Sequence, residues 1–226
     1  MNNTNKIINI AIDGPSGSGK STLASALAKK YGLIYIDTGA LYRTVGLYIQ
    51  RLGILSTDTA AIIKALESID IDMRLIDGRG VVFLDGKAVG DEIRTPKSSM
   101  YASDVSRIPE VRAYLLELQR SIARKNSTVM DGRDIGTVIL PNAQVKLFLT
   151  AGVEERARRR HIELLAKQPH ITYEEVLADM TTRDANDKGR SIAPAIPAED
   201  AVFLDNGGLT IDETIEKACE IIDGVI

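Results

Sequence analysis

A chain of 226 residues, 44% hydrophobic and 26% charged, suffices for one large α/β domain with a well-buried core, and two full domains would be cramped. A formal charge of -3 at pH 7 excludes the overall basic field that gathers nucleic acid or anionic lipid, so an anionic ligand must meet local positive charge. The single cysteine, Cys219, excludes an intrachain disulfide and fits core packing in a reducing compartment, and no apolar run approaches the ~20 residues of a membrane span.

Met1 to Lys6 is polar and short, without the layout of a signal peptide, so a soluble cytoplasmic protein is expected. The first strand-like run, Ile7 to Asp13, leads directly into Gly14-Pro15-Ser16-Gly17-Ser18-Gly19-Lys20-Ser21, which fits G-x-x-x-x-G-K-[ST]. Glycines let the backbone wrap tightly round an oxyanion and aim successive N–H groups at it. The helix expected over Ser21 to Tyr31 adds the positive end of its dipole. Lys20 is expected to reach the β- and γ-phosphates of a nucleotide, and Ser21 to bind Mg²⁺. A flexible Gly/Ser turn would explain the glycines, but not a Lys-Ser pair set between a strand and a helix.

The second run, Leu33 to Asp37, opens Asp37-Thr38-Gly39-Ala40-Leu41-Tyr42-Arg43 and places Arg43 about one turn into the next helix, near the rim that carries the phosphate loop. Arg43 is a candidate for a second anion, although alone it reads as well as a surface arginine on an amphipathic helix. Asp70 to Ile93 breaks the rhythm. Ile71 to Ile76 and Val81 to Leu84, joined by Asp77-Gly78-Arg79-Gly80 and followed by a turn at Asp85-Gly86, predict a small antiparallel insertion. Val111, Leu115, Leu118 and Ile122 recur at helical spacing and mark a scaffold helix.

The third run, Thr128 to Asp131, ends in Asp131-Gly132-Arg133-Asp134, a tight turn that presents a cation and an anion together. By itself this reads equally as a solvated loop; with Arg43 at the adjacent strand end it points to one shared site. Val145 to Thr150 and Ala201 to Asp205 complete five runs separated by helical patterns, which predicts a parallel sheet with helices on both faces. Asp13, Asp37 and Asp131 fall at the strand ends where ligands bind in such sheets, and Asp205 reads equally as a turn residue.

Arg156, Arg158, Arg159 and Arg160 follow Glu154 and Glu155 in a helical segment, and Arg183 and Arg190 follow at the end of the next. Thr172 with Glu175 and Thr210 with Glu213 form capping-box patterns. A salt-bridged, solvated helix face accounts for one or two of the four clustered arginines, and the rest suit a mobile lid that brings guanidinium groups to a γ-phosphoryl group. His161 and His170 are not needed as general bases if the acceptor is a phosphate, whose second pKa near ~6 leaves it an oxyanion at neutral pH. No guanine-reading N-K-x-D occurs, because Ala185-Asn186-Asp187-Lys188 has its letters in the wrong order. A compact chain with sixteen arginines reads as a small-molecule kinase rather than a GTPase, motor or transporter ATPase.

The runs Ile12 to Thr22, Asp37 to Arg43, Glu92-Ile93-Arg94-Thr95, Asp131 to Val138, and Arg183-Asp184 through Asp187 and Arg190 to Ala193-Pro194 together resemble bacterial-type cytidylate kinases. The resemblance extends from the phosphate loop to about Asp205. It implies the P-loop nucleoside monophosphate kinase fold: one domain over 1–226, a five-stranded parallel sheet flanked by helices, a small β-containing insertion at about 68–105 and a helical lid at about 157–172. It also implies transfer from ATP, with Mg²⁺, to CMP or dCMP in pyrimidine metabolism, by a monomer with these small molecules as partners and neither nucleic acid nor membrane.

In residues, the resemblance gives ATP to Gly14, Pro15, Ser16, Gly17, Ser18, Gly19, Lys20, Ser21 and Thr22. It gives the acceptor phosphate to Arg43, Arg133 and Arg183, the cytosine edge to Ser103, Arg112 and Asp134, and the sugar to Asp187 and Arg190, with Asp37 and Thr38 also on the substrate side. Lys20, Arg133 and Arg183 are joined in catalysis by the lid arginines Arg156 and Arg160, chosen by the local pattern and four apart on one helix face. Cytosine offers an exocyclic amine donor with N3 and O2 acceptors, so a carboxylate, an arginine and a hydroxyl match it, whereas uracil would set O4 against the carboxylate. Two rivals stand beside this reading: a P-loop kinase for another metabolite such as shikimate, and a nucleotide-gated interaction switch. The cytosine-reading set argues against the first and the monophosphate insertion against the second.

Overall fold

The computed structural model describes residues 7–166 and 168–226; the polar start Met1 to Lys6, and Lys167 within the expected lid, lie outside them. In chain order the first elements are β1 (Asn9–Asp13), α1 (Lys20–Tyr31), β2 (Ile34–Asp37), α2 (Thr38–Arg51), α3 (Thr59–Ala65), β3 (Ile71–Ile76), β4 (Arg79–Leu84) and β5 (Lys87–Ala88). There follow α4 (Pro96–Val105), α5 (Pro109–Lys125), β6 (Thr128–Gly132), β7 (Val145–Thr150), α6 (Val153–Leu165), α7 (Tyr173–Lys188), β8 (Val202–Asp205) and α8 (Ile211–Asp223). The α/β class and the five expected strand runs are those observed.

These elements form two compact units, one from Ile7, Ile8 and Ala28–Met130, the other from Asn9–Leu27 with Asp131–Ile226. In the second unit β1, β7 and β8 run parallel, with Ile10 opposite Val145, Asp13 opposite Phe148 and Thr150 opposite Asp205. Parallel strands need both faces covered, and Ile10, Ala11 and Ile12 are accordingly fully buried, an unbroken apolar run that ends abruptly in the carboxylate of Asp13. That register brings Asp13 and Thr150 to one rim, where the phosphate loop begins. Helices α6 and α7 pack through Ala157, Val176 and Met180, and α7 starts from a complete Thr172/Glu175 capping box. A second box, Thr210/Glu213, starts α8.

In the first unit β2 lies beside the start of β6, with the Ile34 amide donating to Ser127 O at 3.0 Å. The predicted hairpin forms, with β3 antiparallel to β4 from Ile71↔Leu84 to Ile76↔Arg79. Its turn is shorter than the four residues expected. Asp77 and Gly78 alone make it, at φ 48 and 73, and Arg79 and Gly80 belong to β4. Two consecutive positive φ values give the turn whose twist matches a tight hairpin; Asp85-Gly86 repeats the device at φ 50 and 74. Strand β4 also runs parallel to β2 through Tyr35↔Arg79, so the hairpin extends this unit's sheet. On α5 the buried seam is Val111, Leu115, Gln119 and Ile122, with Leu118 only half-buried. Gln119 takes the place expected for Leu118, its Nε2 donating to Leu115 O within the helix at 2.9 Å while its Oε1 is buried without a partner.

Candidate active site

The phosphate loop is built by three glycines in conformations that side-chain-bearing residues avoid: Gly14 at φ 147, Gly17 at 72 and Gly19 at 89. Turning the amides inward to make an anion nest turns the carbonyls outward, and each outward carbonyl needs a donor. Pro15 O receives Lys20 Nζ at 2.6 Å and Ser18 Oγ at 3.0 Å. Ser16 O receives Arg156 Nη1 at 2.9 Å, and Ser18 O receives Asn206 Nδ2 at 2.9 Å. Lys20, the first residue of α1, is only 5% exposed. Burial, and next the charge of Arg133, pull its ammonium well below its ordinary pKa against the opposing pull of Asp131, Asp13 and Asp187. An arriving polyphosphate would reverse that balance.

Ser21 Oγ donates to Asp131 Oδ2 at 2.8 Å, joining the loop to the end of β6. Asp13, at the end of β1, accepts the amides of Ile135 at 2.8 Å and Gly136 at 2.7 Å, and so fixes the chain just beyond Arg133 and Asp134. Burial pushes the Asp13 carboxyl up from the ordinary 3.8 to about 6, although the hydrogen bonds from Gly136 and Ile135 pull the other way. The folded chain therefore retains a proton that the unfolded chain releases near 3.8. The buried charge opposes folding above about pH 6, and the opposition is relieved as the pH falls from there towards 3.8. Denaturant unfolding of wild type and Asp13→Asn between about pH 7 and pH 4 should show the difference moving in favour of the wild type by roughly 2–3 kcal/mol as the pH falls. A constant difference would mean that Asp13 carries no burial penalty.

A ring of alternating charge occupies the next step outward. Asp187, buried near the end of α7, accepts Arg133 Nε at 2.8 Å and also pairs with Arg190. Burial alone would raise the Asp187 carboxyl, and Arg133, Arg190 and Arg183 outweigh it, holding the pKa below the usual range. Arg183 lies 3.8 Å from Asp179, and burial followed by the nearby Arg133 charge draws its pKa down. The neighbouring charge of Arg160 acts on Arg183 in the same direction. Asp134 is buried at the entry to a π-helical turn, Ile135–Ile139. Lys20, Arg133, Arg183, Asp187 and Arg190 all belong to the second unit.

The lid arginines differ from one another. Arg156 is buried, with Nε on Ala151 O at 2.9 Å, Nη1 on Ser16 O and Nη2 on Asp184 Oδ2 at 2.6 Å. Arg158 and Arg159 both pair with Glu155, and Arg159 also reaches Asn206 O at 2.9 Å. Arg160 pairs with Glu163 at 2.9 Å near the surface. Helical spacing sets Arg156 and Arg160 near one another, but Arg156 reaches the loop at Ser16 O while Arg160 pairs with Glu163. A Cβ on Gly17 would lie 2.8 Å from Met180 Cε and 3.5 Å from Arg156 Cβ.

The first unit carries the remaining expected residues. Asp37 caps α2 by accepting Ala40 N at 3.0 Å and pairs with Arg43 Nη2 at 2.6 Å, while Arg43 Nε is buried without a partner. Gly39 permits this fold-back, since a Cβ there would meet Arg43 Nη1 at 2.8 Å. Thr38 is also buried. Arg112 is buried, its guanidinium 5.8 Å from the Tyr42 ring and donating to Ser106 O at 3.4 Å. Of the nearby serines, Ser98 and Ser106 spend their hydroxyls on Glu92 O and Ser103 O, and Ser103 is half-buried on α4.

Two residues given no role from the sequence, Asp184 and Asn206, touch this machinery, on Arg156 and on Ser18 O. Asp131 had a visible signal, its place at a strand end; Asn206, the residue after β8, had none beyond proximity to Asp205.

The family model for cytidylate kinase matches residues 10–224. The cytidylate kinase of Caldicellulosiruptor bescii is 49% identical over 221 residues, 98% of each chain. That of Carboxydothermus hydrogenoformans is 49% identical over 213 residues, 94% of this chain and 96% of its own. Among solved structures, an uncharacterised protein from Eubacterium ventriosum superposes over 96% of this chain and 98% of its own, with a TM-score of 0.51 and 13% identity, a likeness of fold alone.

Proposed function

The chain belongs to the cytidylate kinase family, and on that premise we propose how its residues divide the transfer of the γ-phosphoryl group of ATP to CMP or dCMP, giving CDP or dCDP and ADP. The observation that carries this reading is the Arg133–Asp187–Arg183 cluster beside a Lys20-bearing phosphate nest in the same unit. A nest alone holds a donor, and a second cationic group beside it supplies a place for an acceptor phosphate. The acceptor enters as a ready-made oxyanion, because its second pKa lies near ~6, so no side chain has to remove a proton. Alignment, charge neutralisation and exclusion of water remain for the protein to provide.

We assign the donor phosphates to Gly14–Thr22 and the acceptor phosphate to Arg43, Arg133 and Arg183. The cytosine edge goes to Ser103, Arg112 and Asp134, and the sugar to Asp187 and Arg190. Arg160, near the surface and within electrostatic reach of Arg183, is the lid cation in this scheme. Ser21 and Asp131 fit Mg²⁺: both present oxygen, they lie 2.8 Å apart at the loop, and a hard cation that keeps most of its waters asks for one or two protein oxygens beside the phosphates. Bound there, the ion would neutralise charge on the β- and γ-oxygens. Among the described residues no helix is long and apolar enough to cross a membrane, and buried Cys219 supports a reducing, cytoplasmic setting.

A panel of monophosphates tests the base assignment. The kcat/KM for CMP and dCMP should exceed that for UMP and AMP by at least about tenfold, the value of one well-made hydrogen bond set against one repelled. Equal turnover of UMP would sink the role of Asp134.

A further inference from the structure

The outward carbonyls of the phosphate loop are held by two side chains that lie far from it in sequence. Ser16 O is taken by Arg156, from the first turn of α6, and Ser18 O by Asn206, from the residue after β8. Both donors are themselves fixed: Arg156 spends its other two nitrogens on Ala151 O and Asp184, while the Asn206 backbone N–H donates to Thr150 O and its side-chain Oδ1 accepts Arg159 Nη1 at 3.4 Å. Each is only 4% exposed. A peptide unit rotates as a plane, so fixing the carbonyls of residues 16 and 18 also fixes the N–H groups of residues 17 and 19. We propose that Arg156 and Asn206 are positioning residues of the donor site, clamping the loop from outside so that its amides point inward before ATP arrives. Preorganised donors lose little on binding, and that difference is felt by ATP and not by the acceptor. The proposal rests on the donor-site reading above.

The geometry also separates the clamp from a direct catalytic role for Arg156. All of its nitrogens are engaged in the backbone carbonyls and Asp184, whereas a transition-state arginine must offer its fork to phosphoryl oxygens.

Asn206→Ala and Arg156→Lys are made separately, on different elements, and compared with wild type for ATP affinity by calorimetry and for KM and kcat in both substrates. Each substitution should weaken ATP binding about tenfold, with a matching rise in KM for ATP that exceeds any change in kcat or in KM for CMP. Asn206→Asp, which sets an acceptor oxygen against Ser18 O, should weaken ATP binding further than Asn206→Ala. The clamp is overturned if both variants bind ATP as wild type does, or if ATP and CMP affinities fall together. A collapse of kcat in Arg156→Lys at unchanged ATP affinity would make Arg156 catalytic instead. Failure of the wild-type chain to phosphorylate CMP or dCMP would defeat the functional reading itself, an outcome distinct from active wild type with indifferent variants.

Discussion

Arg133→Ala should slow phosphoryl transfer to CMP by roughly 10³-fold while leaving ATP affinity within about threefold, a positioned arginine being worth at least that much to a phosphoryl transition state. The guanidinium is held in place by Asp187, at 2.8 Å, and Asp187 keeps Arg190 after the substitution, so the surrounding fold loses a cation without stranding a buried carboxylate. ATP affinity is protected for a second reason. After burial, Arg133 is the largest influence pulling the Lys20 ammonium below its ordinary pKa. Removing it takes away that repulsion on Lys20, which itself meets the β- and γ-phosphates. Steady-state kinetics in both substrates with ATP titration of the free protein checks the split. Weakened ATP binding with unaltered CMP kinetics would refute the role given to Arg133.

Gly14→Ala should destabilise the chain by about 4 kcal/mol or more and abolish ATP binding, a loss comparable with the whole stability of an ordinary domain. The added Cβ would sit 2.0 Å from Leu149 O and 3.0 Å from Leu149 C, both backbone atoms of β7. No side chain can swing aside to relieve it. Relief requires β1 to slide against β7, which breaks the register that sets Asp13 opposite Phe148, and the φ of 147 adds strain of its own. Gly32→Ala is the control, with φ 66 but nothing within 4 Å of its Cβ. It should cost only about 1–2 kcal/mol. Urea unfolding of the two variants side by side decides the matter, and equal losses would show that the loop has room at Gly14.

What the sequence discloses is what lies close together along it. The phosphate loop, the Asp-Gly turns and both capping boxes each depend on a few consecutive residues, and all are present where their letters place them. Asp-Gly read as part of a four-residue connection was too generous by two, because a twist-matched turn needs only its two positive φ positions. The links that finish the site join distant segments. Ser21 meets Asp131 across 110 positions, and Asn206 meets Ser18 across 188. No local pattern announces a partner at such range, and an asparagine after a strand resembles any turn residue. Arg156 and Arg160 show the same limit inside one helix: spacing gives a common face, while burial depends on what that face touches.

Cys219 packs on α8 at 4% exposure beside Ala218 and Ile222, and the chain has no other thiol. Native protein thus offers a chemically quiet background for maleimide labelling. One cysteine introduced on the solvent side of α6 and another on α3 would carry a fluorophore pair without first engineering the native sulfur away. Any change in the separation of these two helices during turnover then becomes directly readable as a distance, in an enzyme otherwise unaltered at its core.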